Sequence, residues 1–163
     1  DFLYGDDFAK ASGCTLLSDP TVIELSGKTT LLMHGDSLCT DDQEYMAFRA
    51  QIRNPEMQAL LLAKPLAERR AIAKQLRDQS KSANARKAED IMDVNQQAVL
   101  DAMHEHQAQQ LIHGHTHRPH VHELELNGTV ATRTVLGDWD QLGWVLRVSD
   151  TQQSLEQFPI DNP

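Results

Sequence analysis

Three histidines fall within five residues at His113-Gly114-His115-Thr116-His117, with His120 and His122 close behind. Imidazole is a borderline-soft ligand for transition metals. One histidine in a polar turn carries little information, but Gly-His-x-His directly after the apolar pair Leu111-Ile112 is a far more specific pattern. Alternate residues of an extended segment point to one side, so the spacing predicts that His115 and His117 face a common site. Gly114 gives the backbone room to turn at the strand end. The segment His34-Gly35-Asp36 has the same local grammar after Leu31-Leu32-Met33. Two strand ends that each present a histidine would converge at one edge of a sheet, where sites in layered α/β folds lie. The candidate ligands are therefore His34, His115 and His117. Three imidazoles suit a mononuclear zinc site as well as part of a two-metal centre. Phosphate-ester chemistry on two hard cations calls for carboxylates in addition. Asp36 is near His34 in sequence, but spacing alone does not make it a bridge.

The elements that must position these residues read as follows. Phe8 to Ala11 suggests a short helix stopped by Gly13. Thr21–Leu25 and Thr29–Met33 read as strands joined through Ser26-Gly27-Lys28, and the second runs straight into His34. From Thr40 the period becomes helical: Thr40 with Gln43 matches a capping box, and Tyr45, Phe48 and Ile52 form a stripe. Asn54-Pro55 opens a second helix, and a basic amphipathic helix begins near Leu66. Ile91, Ala98 and Ala102, with Met92, Val99 and Met103 beside them, predict one more. Strand signals then return at Gln110–Ile112 and continue as an antiparallel run to Phe158, with Asn127-Gly128 as a hairpin turn. The layout is α/β: a β-rich framework over 1–39 and 108–163, and a helical insertion over 40–107 placed to act as a lid.

Composition narrows the function classes. The 163 residues suffice for one domain, and the net charge of −9 lacks the basic footprint of a general nucleic-acid binder. The charge is uneven, however. Between Lys64 and Lys87 eight basic residues face two acidic ones, a net +6, while the rest of the chain carries −15. A basic helical face of this kind is either plainly solvated or meets phosphate or an anionic membrane. The two cysteines, Cys14 and Cys39, are expected to be reduced thiols.

Met33-His34-Gly35-Asp36, together with Ile112-His113-Gly114-His115-Thr116-His117-Arg118-Pro119, resembles the later motifs of the calcineurin-like metallophosphoesterases. Within that superfamily, three segments are similar to the UDP-2,3-diacylglucosamine diphosphatase family of bacterial lipid A synthesis. They are Asp1-Phe2-Leu3-Tyr4-Gly5, Leu38-Cys39-Thr40-Asp41-Asp42 and Ile91-Met92-Asp93-Val94-Asn95. The resemblance covers the whole chain. The earlier Asp-x-His and Gly-Asp motifs have no counterpart here, and Asp1 matches the last residue of the Gly-Asn-Arg-Asp motif. The resemblance thus implies one incomplete domain, the C-terminal two-thirds of an αββα sandwich with an inserted helical lid, and inactivity of residues 1–163 alone.

It further implies hydrolysis of the pyrophosphate of UDP-2,3-diacylglucosamine, with two Mn ions as cofactor and the cytoplasmic face of the inner membrane as partner. His34, His115 and His117 would be metal ligands, with His115 also catalytic and touching substrate. Asp42, Ser80, Asn84 and Lys87 would bind substrate, and Tyr45 and Arg77 would line the site. Ser80, Asn84 and Lys87 follow i, i+4, i+7 spacing and are expected on one helix face. The run Met57 to Leu62 would be lid core, an acyl-chain wall or a membrane-facing patch. Two other readings remain open at this stage: a phosphoesterase for a soluble nucleotide or phosphodiester, and a non-catalytic metal-binding fragment.

Overall fold

The structure, a computed structural model, describes residues 4–84, 87 and 91–160, without the side chains of residues 81, 83 and 84. It divides into two compact units. One holds the residues up to Leu16 with Cys39–Asp93, the other Leu17–Leu38 with the chain from Val94 onward.

The second unit is built on a five-stranded sheet. β1 (Thr21–Leu25) and β2 (Lys28–Met33) form an antiparallel hairpin. Its turn has two residues, Ser26 at φ 51° and Gly27 at φ 72°, the positive-φ pair that a tight hairpin requires. β3 (Gln110–His113) lies parallel to β2 with Met33 opposite His113. β4 (His120–Leu126) and β5 (Thr129–Val135) form a second hairpin through Asn127 and Gly128, both again at positive φ. The predicted antiparallel run is corrected here: β5, not β4, pairs with β3, and it does so in parallel. The spatial order is β1-β2-β3-β5-β4, with β6 (Leu142–Val148) and β7 (Gln153–Pro159) as a separate antiparallel pair.

One helix, which we number α5 for its place in the chain (Gln96–Glu105), covers one face of the sheet. Val99 and Met103, one turn apart, are fully buried against Leu31, Leu111 and Ala131. Each such side chain contributes about 1.5–3 kcal/mol by leaving water. Asn95 caps the helix by accepting from Ala98 N at 3.0 Å. The helix therefore starts later than predicted: Ile91 and Met92 precede the cap and are not part of its stripe. Gln107 at φ 52° closes the other end, and Ala108 N donates to Met103 O at 2.8 Å in a Schellman geometry that feeds directly into β3. The opposite sheet face is polar. Thr30 Oγ1 donates to Gln110 Oε1 at 3.0 Å, Gln153 of β7 reaches the same oxygen, and a cavity of about 320 Å³ lies there.

The first unit is helical: α1 (Asp6–Ser12), α2 (Gln43–Ile52), α3 (Pro55–Leu62) and α4 (Leu66–Asn84). Gly13 ends α1 in the left-handed conformation, as its sequence position indicates. Asn54 caps α3 by accepting from Glu56 N and Met57 N, with Pro55 at the first turn. The capping box at Thr40 is not formed. Asp42 is the cap of α2, because its carboxylate takes Tyr45 N at 2.9 Å, while Gln43 reaches back to Thr40 O. Among the described residues of this unit only Cys39 and Asp42 are buried. No helix among the described residues is long and apolar enough to cross a membrane.

Candidate metal centre

The parallel strands β2, β3 and β5 end side by side at Met33, His113 and Val135. The residues that follow them, His34 to Asp36, Gly114 to His117 and Leu136 to Asp138, therefore emerge at one edge. Gly114 N donates to His34 O at 3.1 Å and Leu136 N to His113 O at 2.8 Å, which extends the ladder one step beyond the strands.

His34 and His115 meet there, with ring centroids 5.1 Å apart and planes tilted by 52°. His34 is held firmly. Its amide donates to Asp19 Oδ1 at 3.2 Å, and its Nδ1 lies 3.2 Å from Oδ1 of Asp36, which is 1% exposed. A carboxylate beside a histidine ring is a common feature of metal-ligating histidines. His117 is more exposed, and its Nδ1 lies 3.6 Å from Oδ2 of Asp138. In kind, imidazoles with a carboxylate beside His34 suit a divalent cation. Among the described residues, no group of three or more His, Cys, Asp or Glu side chains is gathered to hold a metal ion.

The geometric premise of the sequence reading needs correction. The chain from Gly114 is not extended. His115 (φ 67°) and His117 (φ 53°) are both left-handed, with Thr116 N bonded back to Gly114 O at 2.8 Å. Non-glycine residues adopt this conformation at a cost, and such outliers cluster at functional sites. His113, between the two ligand candidates and the sheet, is 1% exposed. Its ring nitrogens are engaged by Gly114 O (2.9 Å) and Arg133 Nη1 (3.2 Å).

Apart from His115, the residues read as substrate-binding lie in the helical unit. Lys87 itself is not helical but lies in a bend, so it does not continue the α4 face that carries Ser80. Its ammonium instead bonds both carboxylate oxygens of Asp42 at 2.8 Å and Glu44 at 3.1 Å. Desolvation, the largest influence, pulls the Lys87 pKa down, but the hydrogen bonds and charges of Asp42 and Glu44 together outweigh it and hold it above 10.5. Ser80, Tyr45 and Lys87 line a cavity of about 180 Å³ with Phe48, Leu76, Gln79 and Glu44. Arg77 is exposed and outside that lining. The Asn84 side chain and Asp1 lie outside the described residues. Neither cysteine is in a disulfide; Cys14 is exposed and Cys39 buried.

No family model matches the chain. Curated proteins do. The chain is 53% identical over 160 residues to the UDP-2,3-diacylglucosamine hydrolase of Cellvibrio japonicus, covering 98% of this chain and 67% of that protein. It is 57% identical over 151 residues to the enzyme of that name from Chromohalobacter salexigens, covering 92% and 61%. The Marinobacter nauticus protein is 53% identical over 152 residues, covering 93% and 62%. The chain belongs to the UDP-2,3-diacylglucosamine hydrolase family. It spans 61–67% of the length of these relatives.

Asp19 and Asp138 went unread because neither sits in a histidine motif. The usable signal for Asp138 was its place three residues after the end of β5, a strand whose pairing with β3 is not visible locally.

Proposed function

We propose that this chain carries part of the active site of a metal-dependent hydrolase. The reaction is cleavage of the pyrophosphate bond of UDP-2,3-diacylglucosamine to UMP and 2,3-diacylglucosamine 1-phosphate. The observation that carries the reading is the meeting of His34 and His115 at the paired ends of β2 and β3. His34, His115 and His117 are the proposed ligands of a two-ion centre, with Mn the metal. Such a pair, when bound, supplies acidified water, clamps phosphoryl oxygens and offsets developing charge. His34 would serve with the buried Asp36 carboxylate beside its ring, whereas Asp138 lies 3.6 Å from His117 Nδ1, too far for a hydrogen bond. His115, beside His34, is also the histidine proposed to touch the scissile phosphoryl group.

Substrate recognition belongs to Asp42, Ser80, Asn84 and Lys87. The cavity beside Ser80 is smaller than the roughly 300–1,000 Å³ of sites that engulf a whole ligand. It suits one portion of a lipid-sugar, with Tyr45, Phe48 and Leu76 as apolar wall and Lys87 at its polar end. Lys87 reaches a phosphate by keeping Asp42 and releasing Glu44, whose side chain is 69% exposed and free to swing. Exposed Met57, Leu60, Leu62 and Leu66 stand close in sequence to Lys64, Arg69 and Arg70. Apolar side chains mixed with cations favour an anionic bilayer surface, here the cytoplasmic face of the inner membrane.

The test is UMP release by the intact protein, with and without Mn²⁺, from acylated and deacylated substrate. Metal-dependent release that favours the acylated substrate is expected. Equal efficiency on both would point to a soluble-nucleotide phosphoesterase. No turnover under any metal would leave a non-catalytic metal-binding protein.

A further inference from the structure

We propose that the buried pair His113–Arg133 is a positioning device that sets the two loops carrying His34 and His115. The inference rests on the metal reading above and extends it to residues that touch neither ion nor substrate.

His113 is 1% exposed and Arg133 5%. A guanidinium has donors only, so at 3.2 Å its Nη1 must donate to His113 Nε2. The ring is then neutral with its proton on Nδ1, which donates to Gly114 O at 2.9 Å. Gly114 N in turn donates to His34 O, and the carbonyl of His113 accepts from Leu136 N. The polar chain runs from β5 through β3 to the loop after β2, and every link has a defined donor. The ring also packs over Gly35, where an added Cβ would come 2.7 Å from Nδ1. His113 thus touches both ligand loops at once: Gly35, next to His34, and Gly114, next to His115.

A packing role alone would not call for these residue types. Burying a guanidinium carries a desolvation cost that an apolar residue in the same strand would avoid. What the cation adds is direction. It occupies Nε2, so His113 is withdrawn from the donor set although it sits two residues from His115. It also fixes which nitrogen faces the loops. Partners behind metal-ligating residues commonly change metal affinity by 10- to 100-fold when removed.

The experiment titrates Mn²⁺ into the intact protein, reading free ion by electron paramagnetic resonance. The variants are His113→Ala, His113→Asn, His113→Gln and Arg133→Met, with His34→Ala as control and circular dichroism reporting folding. The expected result is affinity about 10- to 100-fold weaker in His113→Ala and Arg133→Met. His113→Asn, whose amide can still donate toward Gly114 O, should recover part of it. His113→Gln, which keeps only the acceptor for Arg133, should recover less. If His113→Ala does not fold, the Asn and Gln comparison carries the same decision. Affinity within twofold of wild type in folded variants, with His34→Ala losing the metal, would overturn the positioning role while leaving the metal reading intact. If wild-type protein takes up no Mn²⁺, the metal reading fails and this inference with it.

Discussion

The Asp42–Lys87 pair offers the sharpest test of how the helical unit is held. Lys87 Nζ contacts both oxygens of Asp42 at 2.8 Å, and the two side chains are 15% and 8% exposed. Replacing Lys87 by Met leaves a carboxylate buried without its counter-ion, a change that costs about 3–5 kcal/mol in fully buried pairs. Asp42 keeps one compensation, the Tyr45 amide at the start of α2. The expected loss is therefore smaller, about 2–3 kcal/mol, close to that of hydrogen bonds to charged groups. Replacing Asp42 by Asn retains the cap but removes the charge. If the two residues act as a unit, Lys87→Met in the Asp42→Asn background should cost less than about 1 kcal/mol, giving a coupling near 2 kcal/mol. Urea unfolding of the four proteins at pH 7.5 measures this, and at about 2–4 °C per kcal/mol the thermal shift of Lys87→Met should be roughly 4–12 °C. Strict additivity of the single and double variants would refute the argument. The sign with pH follows from the same pair. The folded-state pKa of Lys87 lies above 10.5, so the stabilisation is complete below the unfolded value and is lost as pH rises through the folded one. Wild-type stability should therefore fall above pH 10.5 more steeply than that of Lys87→Met.

Other outcomes are equally definite. His115→Ala should abolish Mn²⁺-dependent turnover and cut Mn²⁺ uptake in the intact protein, checked by metal analysis, and full occupancy with normal rate would remove it from the ligand set. Gly35→Ala meets both a φ of 104° and His113 Nδ1 at 2.7 Å, so a loss of about 2 kcal/mol or more is expected by thermal melting. Met103→Ala, fully buried between α5 and the sheet, should cost about 2–5 kcal/mol in urea unfolding without touching metal affinity.

What could be read from the chain was local chemistry. Ser26-Gly27-Lys28 and Asn127-Gly128 announce their turns because tight hairpins need positive φ; both form, the first one residue shorter than read because Lys28 already belongs to β2. Asn54-Pro55 announces α3 because a side-chain oxygen followed by a residue without N–H suits a first turn. What could not be read was decided at long range. The pairing of β5 beside β3 depends on the whole sheet, and with it went the chance to find Asp138 and Arg133. Lys87 looked like one more position on a basic helix, because its partner lies 45 residues away. The two left-handed histidines were hidden for another reason: histidine is left-handed too rarely for its type to specify that conformation, so the surrounding contacts impose it.

The two units are held together by different physics, and the difference matches their proposed tasks. In the sheet unit the ligand loops follow strands whose side chains, Leu31, Leu111 and Val135, are fully or almost fully buried. An ion demands donors placed to a few tenths of an ångström, and buried strands provide that rigidity. The helical unit has no comparable core among its described residues; its helices rest on caps and on the Asp42–Lys87–Glu44 cluster. Segments with few buried contacts open at low free energy, and binding elements are drawn from that end of the scale. Under the proposed function, the acyl chains of a lipid-sugar would supply apolar contacts that the helices lack. The ion cluster would then have a double role: it orders the helical unit, and Glu44, its exposed member, is the carboxylate a phosphate would replace while Asp42 keeps Lys87.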